Sequence, residues 1–167
     1  YANGLKKNVK NDRPIIGNYG VNNEGSGDMY PKGALLLNTL RHVINNDEKW
    51  WKLLFDYATT FKHQIIDTPT VIAFFNKESD MNLTPIFNHY LLKTTIPKLE
   101  LKTVKGKLAA RWSNVNDNFT MPIELTYQNK TFRIQPKSTW TTTKVKVKNI
   151  TEVAPKLNQF YIEYKLL

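Results

Sequence analysis

The spacing of apolar residues divides the chain into a helical first part and a β-rich second part. Between Pro31 and Pro97 apolar residues recur every three or four positions, which is the period of a helix with one buried face. From residue 98 onward the period changes to two, which is typical of strands with one buried face. Helices followed by strands predict the α+β fold class.

Apolar stripes and start signals predict about four helices in the first part. Pro31 suits the first position of a helix, where its missing N–H costs nothing, and Asp47 is a suitable N-cap for the next helix. The predicted helices cover residues 31–45, roughly residues 48–61, and two shorter segments that begin at Thr68–Pro69 and Thr84–Pro85. The opening decapeptide is expected to form the end of a further helix.

The same spacing predicts which side chains of the two long helices are buried. On the first, the apolar stripe consists of Leu36, Leu37, Leu40, Val43 and Ile44. On the second, it consists of Trp50, Trp51, Leu54, Phe55 and Ala58.

Six strand candidates with alternating apolar and polar residues follow the helices. They are KLELKTV, KLAARW, MPIELTY, KTFRIQ, TWTTTKVKVK and QFYIEYKL. The segment YQNKT between two of them predicts a hairpin connection. We therefore predict a helical subdomain, residues 1–97, followed by a small antiparallel β-sandwich-like domain, residues 98–167.

Composition permits a substantial core and excludes several kinds of site. Apolar residues make up 41% of the 167 residues, with four Trp among them. No apolar run approaches the roughly 20 residues of a membrane-spanning helix. The absence of cysteine excludes disulfides, thiolate metal sites and a cysteine nucleophile. Since the chain begins with YANGLKK and not with Met, we expect a piece of a longer or processed protein.

The net charge of +10 is concentrated in the β-rich part, where residues 99–167 carry twelve Lys or Arg against five Asp or Glu. A basic balance is compatible with nucleic-acid binding. The lysines alternate with Val and Thr in TTTKVKVKNI, however, which is typical of the solvent face of a strand. A nucleic-acid site would interleave basic residues with stacking aromatics. No nucleic-acid partner is therefore predicted.

Few residues could carry chemistry. The three histidines, His42, His63 and His89, are too far apart in sequence to place two ligands on one helical face, and the motif H-E-x-x-H is absent. No serine lies in a G-x-S-x-G elbow.

Tyr30 remains as a candidate, between the loop segment GSGD and the start of a strongly apolar helix. Such a tyrosine either packs its ring against the helix or donates a hydrogen bond into a cleft, where it can stabilise an oxyanion.

The segment DMYPKGALLLNTLR resembles the stretch that follows the zinc site in aminopeptidase N-type gluzincin metallopeptidases. That family places a Tyr-x-Lys-Gly element at the start of a helix, and Tyr30, Lys32 and Gly33 match it. The wider stretch, residues 13–51, is especially similar to the bacterial members. The resemblance implies that Tyr30 is the catalytic residue that stabilises the oxyanion, and that Gly33 permits close packing at the helix start. Lys32 either orients the loop or lies on the surface.

Two later landmarks extend the resemblance over nearly the whole chain. Asn82–Leu83 and Ile86–Phe87 stand where the family has an Asp-Leu-x-x-Phe-Phe-like helix. The segment FTMPIELTY, with Trp112 just upstream, resembles a strand of the family's β domain.

The resemblance also implies a cofactor and partners. The family holds zinc by H-E-x-x-H and a downstream Glu, and a zinc-bound water attacks the scissile carbonyl. This chain has neither those ligands nor the G-x-M-E-N exopeptidase element. We therefore expect zinc only in the parent protein, none bound by this chain, and no activity of the chain alone. The implied partners are a peptide substrate and the missing N-terminal half of the catalytic domain, with no membrane span. The bacterial resemblance favours the cell envelope or export, although the location stays open.

An alternative is a non-catalytic module for protein interaction on a helical-plus-β scaffold. It predicts a self-contained core. The peptidase interpretation instead predicts Tyr30 at the rim of an open concave surface and an exposed apolar patch of more than a few hundred Å².

Overall fold

The computed structural model describes residues 2–18 and 25–167. Within these ranges five α-helices precede two small β-sheets, which confirms the predicted α+β class. The helices are α1 (Ala2–Lys6), α2 (Pro31–Ile44), α3 (Asp47–Thr60), α4 (Thr68–Ser79) and α5 (Thr84–Leu92), and 3₁₀ turns cover Gly27–Met29 and Ile150–Glu152. No helix of the described ranges is long and apolar enough to cross a membrane.

The caps of two helices lie one residue before the positions that the sequence predicts. Asn46, not Asp47, caps α3, because its side chain accepts a hydrogen bond from the Lys49 amide at 2.9 Å. In the same way Asp67 precedes α4 as its cap, and Thr68 is already helical. In each case a short Asn or Asp side chain satisfies a free amide of the first turn.

The strands form two sheets of order β5-β2-β1-β7 and β4-β3-β6. Their bounds are β1 (Lys98–Val104), β2 (Lys107–Ser113), β3 (Ile123–Tyr127), β4 (Lys130–Ile134), β5 (Thr141–Lys146), β6 (Ala154–Pro155) and β7 (Glu163–Leu166). All pairs are antiparallel except β1 with β7. The hairpin predicted from YQNKT is confirmed as the β3–β4 turn. Gln128 and Asn129 there have φ of 48° and 59°, as a type I′ turn requires.

One hydrophobic core runs through both parts of the chain. Strand residues such as Leu101 and Leu125 and helix residues such as Leu40 and Tyr90 are all 0% exposed and belong to the same cluster. Hydrogen bonds also join the parts, since Arg133 of β4 donates to the carbonyl oxygens of His42 and Val43 at the end of α2. The division into domains 1–97 and 98–167 stays a prediction.

The predicted stripe of α3 is partly wrong. Leu53, which the stripe omitted, is 1% exposed, whereas Trp51 and Phe55 are 56% and 68% exposed. The reason is tertiary, because α3 packs against α4 through the edge-to-face pair Trp50–Phe75, with ring centroids 6.3 Å apart. This contact turns the adjacent Trp51 toward the solvent.

A buried hydrogen-bond chain connects α2, α5 and the segment before β7. The Tyr90 hydroxyl donates to the Tyr161 carbonyl oxygen at 2.6 Å. The Tyr161 amide donates to the Thr39 hydroxyl at 3.0 Å, and that hydroxyl donates to the Leu35 carbonyl oxygen at 2.8 Å. Burial raises the pKa of the Tyr90 phenol, so it remains protonated and serves as the donor.

We expect Tyr90→Phe to lower the free energy of unfolding by about 1–3 kcal/mol, because it leaves a buried acceptor without its donor. Urea unfolding of the chain measures the loss. Tyr164→Phe is the matched control, since Tyr164 is 40% exposed, and a surface change of this size stays within about 0.5 kcal/mol. Equal stability of the two variants would contradict the importance of this hydrogen bond.

Candidate functional site

Tyr30 lies between the 3₁₀ turn Gly27–Met29 and α2, in the N-cap position of α2. Its side chain is 77% exposed and makes no capping hydrogen bond. Among the residues that the structure describes, its hydroxyl has no hydrogen-bond partner. The ring is therefore not packed against the helix, and the phenol is free to donate to a group outside this chain.

Asp28, two residues before Tyr30, anchors the turn from one side. Its carboxylate is 3% exposed and accepts hydrogen bonds from the backbone amides of Lys10 and Asn11, at 2.9 and 2.6 Å. The Ser26 side chain caps the turn by accepting from the Asp28 amide at 3.2 Å. The turn that carries Tyr30 is thus attached to the segment after α1.

Lys32, two residues after Tyr30, anchors the turn from the other side. It is 0% exposed, and its Nζ donates to the Lys93 carbonyl oxygen, 2.7 Å away, just after α5. The surface alternative for Lys32 is therefore wrong. Burial lowers the pKa of its ammonium, and the Asp28 carboxylate opposes that shift.

The three histidines are not brought together as ligands. His89 is buried, and its Nε2 lies 2.9 Å from the Thr95 carbonyl oxygen. Burial lowers the pKa of His89 and thus favours the neutral ring; the Thr95 carbonyl opposes the shift, and Lys32 adds to it. Residues 2–18 and 25–167 contain no group of three or more His, Cys, Asp or Glu that could hold a metal ion. These residues do not fit a zinc site.

Beside the Tyr30 turn lies an open cavity of about 330 Å³. It is lined by Asn8, Lys10, Asp12, Arg13, Ser26, Gly27 and Asp28. Tyr30 itself does not line this cavity. The position of Tyr30 at the rim of a concave surface thus stays a prediction.

The face of α2 that continues from Tyr30 is partly covered, since Ala34 lines a cavity together with Ala2 and Leu5 of α1. Gly33, Ala34 and Leu37 follow Tyr30 at helical spacing on that face, and Leu37 is 42% exposed. A Cβ placed on Gly33 would meet no described atom within 4 Å. The close packing expected at Gly33 is therefore absent among the described residues.

We expect Gly33→Ala to raise the free energy of unfolding of the chain by about 0.5–1 kcal/mol. Alanine restricts the unfolded chain and favours the helix, and no described residue obstructs its methyl group. Thermal unfolding followed by circular dichroism measures the change. A loss of stability would indicate that Gly33 is required by a backbone contact.

Sequence reasoning found Tyr30, gave no role to Asp28, and left Lys32 open between orienting the loop and lying on the surface. The available signal was the spacing of Asp28 and Lys32, because opposite charges four residues apart lie near each other around a helix start. The burial of both was not predicted, because charged residues are rarely buried.

Comparison with known proteins shows that the fold of this chain is similar to part of a solved structure. No protein-family model matches the chain. The search of curated proteins finds no match either. Among solved structures, the chain resembles aminopeptidase A of Legionella pneumophila, which was crystallised in complex with aspartic acid, with a TM-score of 0.67 and 11% sequence identity. The likeness covers 93% of this chain and 20% of that one. The described chain thus has the fold of one part of a solved aminopeptidase and spans a fifth of that enzyme's length.

Proposed function

We propose that this chain is part of a zinc-dependent aminopeptidase, which removes N-terminal residues from peptides, and that Tyr30 donates the hydrogen bond that stabilises the oxyanion. The observation that carries the proposal is the exposed phenol of Tyr30 at the start of α2, in a chain that shares its fold with part of an aminopeptidase. The Tyr-x-Lys-Gly element adds the chemical argument, since that element supplies such a tyrosine in the resembling family.

The environment of Tyr30 suits a donor of this kind. Its hydroxyl is not satisfied by any described residue, so donation to a substrate oxygen breaks no bond within the described part of the chain. The turn on which it lies is tied down at Asp28 and at Lys32. A donor that is fixed before the substrate arrives stabilises developing charge without the cost of reorganisation.

In the proposed enzyme the zinc ion would be held by residues outside the described part of this chain, which offers no suitable ligand group. When bound, the ion would supply the activated water that attacks the peptide carbonyl. The contribution of this chain is the tyrosine, the anchored turn and the scaffold behind them.

The interaction module is a second candidate because the core of the described chain is continuous. Several large apolar side chains of the described residues are exposed, which fits either candidate. They are Met29, Tyr30, Leu37, Trp51, Phe55, Ile65, Leu92, Tyr164 and Leu167. The likeness of fold to part of an aminopeptidase favours the enzyme.

The experiment that tests the proposal assays the parent protein, loaded with zinc, for release of a fluorophore from aminoacyl substrates. The matched control is the same substrate with its amino group acetylated. We expect release from the free amine alone, since an aminopeptidase recognises the N-terminus. Release from neither substrate would favour the interaction module, and equal release from both would contradict an aminopeptidase.

A further inference from the structure

The position of the Tyr30 hydroxyl cannot be set by its own contacts. The side chain is 77% exposed, and no described residue bonds to the hydroxyl. Its backbone makes one good hydrogen bond, in which the Ala34 amide donates to the Tyr30 carbonyl oxygen at 3.0 Å. The direction of the hydroxyl therefore depends on the contacts that hold the turn in place.

Two buried charged residues flank Tyr30 at equal distance in sequence. Asp28 and Lys32 are 3% and 0% exposed, whereas Met29 and Tyr30 between them are exposed. Asp28 attaches the turn to backbone amides after α1. Lys32 attaches it to the Lys93 carbonyl oxygen, 61 residues away, where α5 ends.

Stability alone does not account for a lysine at this place. Removing an ammonium from water is costly, and a hydrophobic residue of similar size often fills a buried charged position at equal or better stability. A long-range hydrogen bond to one defined carbonyl oxygen fixes the first turn of α2 relative to α5, which an apolar side chain cannot do.

We propose that Lys32 is a positioning residue for Tyr30. Its buried ammonium, through the bond to the Lys93 carbonyl oxygen, holds the start of α2 so that the Tyr30 hydroxyl reaches the developing oxyanion. This inference rests on the proposed function in its catalytic part. The structural part, that Lys32 holds the turn, is independent of it.

The structural part is tested on the 167-residue chain by amide hydrogen exchange. We expect Lys32→Met to accelerate exchange about 10-fold or more in the peptides covering residues 27–34. Lys49→Met is the matched control, because the Lys49 ammonium also donates to a distant carbonyl oxygen, that of Ser79 at 2.6 Å, away from Tyr30. Unchanged exchange around Tyr30 in Lys32→Met, or the same acceleration there in Lys49→Met, would overturn the proposal.

The catalytic part is tested by a double-mutant cycle in the parent protein. A displacement of about 1 Å in a positioned group costs up to about 10²-fold, so we expect Lys32→Met to lower kcat by about 10- to 100-fold with KM little changed. In a Tyr30→Phe background the same substitution should cost nothing further, since the hydroxyl it positions is gone. An equal loss in both backgrounds would show that Lys32 acts apart from Tyr30 and would overturn the inference.

The two ways of failing are distinguishable. If Tyr30→Phe leaves kcat unchanged, the oxyanion role proposed for Tyr30 fails, and hydrogen exchange still decides whether Lys32 holds the turn. If Tyr30→Phe lowers kcat but Lys32→Met does not, the positioning role alone fails. Should Lys32→Met not fold, Lys32→Gln serves the same cycle, because its neutral and shorter side chain weakens the bond to Lys93 with a smaller change in polarity.

Discussion

We expect Tyr30→Phe to lower kcat of the proposed parent aminopeptidase by about 10²- to 10³-fold, the range found when one oxyanion donor is removed. The substitution removes one hydroxyl and almost no volume. At 77% exposure the ring makes few contacts within the chain, so the fold should be unaffected. An interaction made only in the transition state lowers kcat and kcat/KM together. Steady-state release of an aminoacyl fluorophore measures both constants.

Tyr164→Phe is the control, because it removes a hydroxyl from another exposed tyrosine of the same chain, and it should leave kcat unchanged. Circular dichroism and zinc content of each variant establish that the fold and the metal are intact. Full activity of Tyr30→Phe would exclude a catalytic hydroxyl and leave Tyr30 as a surface residue. A rise in KM with kcat unchanged would make it a substrate-binding residue instead.

The helices and strands were accessible from sequence because their signals are local. Pro31 at a helix start and the tip residues Gln128 and Asn129 of the β3–β4 hairpin express backbone preferences that hold in almost any context. The strand β6, only Ala154–Pro155, is too short to show a period. The parallel pairing of β1 with β7 joins segments far apart in sequence, and no local pattern records such a contact.

The candidate site was accessible only in part, for a similar reason. Tyr30 could be found because it stands at a helix start beside glycines and inside a recognisable element. The burial of Lys32 could not, because it depends on the carbonyl oxygen of Lys93 at the end of another helix. Charge and hydropathy predict an exposed lysine, and only the tertiary arrangement overrides them.

The second large effect concerns the neighbouring tryptophans of α3. We expect Trp50→Ala to lower the free energy of unfolding by about 3–5 kcal/mol, as is usual when a large buried ring is removed from a core. Trp50 is 3% exposed and packs edge-to-face on Phe75. Because an ordinary domain is stable by only about 5–15 kcal/mol, this loss is a large share of the total. Urea unfolding followed by circular dichroism measures it.

Trp51→Ala is the matched control, because it deletes the same kind of side chain one residue further along α3. Trp51 is 56% exposed, and the Arg41 guanidinium lies 5.3 Å from its ring centroid. An exposed cation–π pair contributes about 0.5–1 kcal/mol, so we expect a loss no greater than that. A similar loss in both variants would mean that α3 is rotated from its orientation in the structure, toward the apolar stripe that the sequence predicts. If Trp50→Ala is too unstable to measure, Trp50→Phe retains part of the contact with Phe75 and should still cost more than Trp51→Phe.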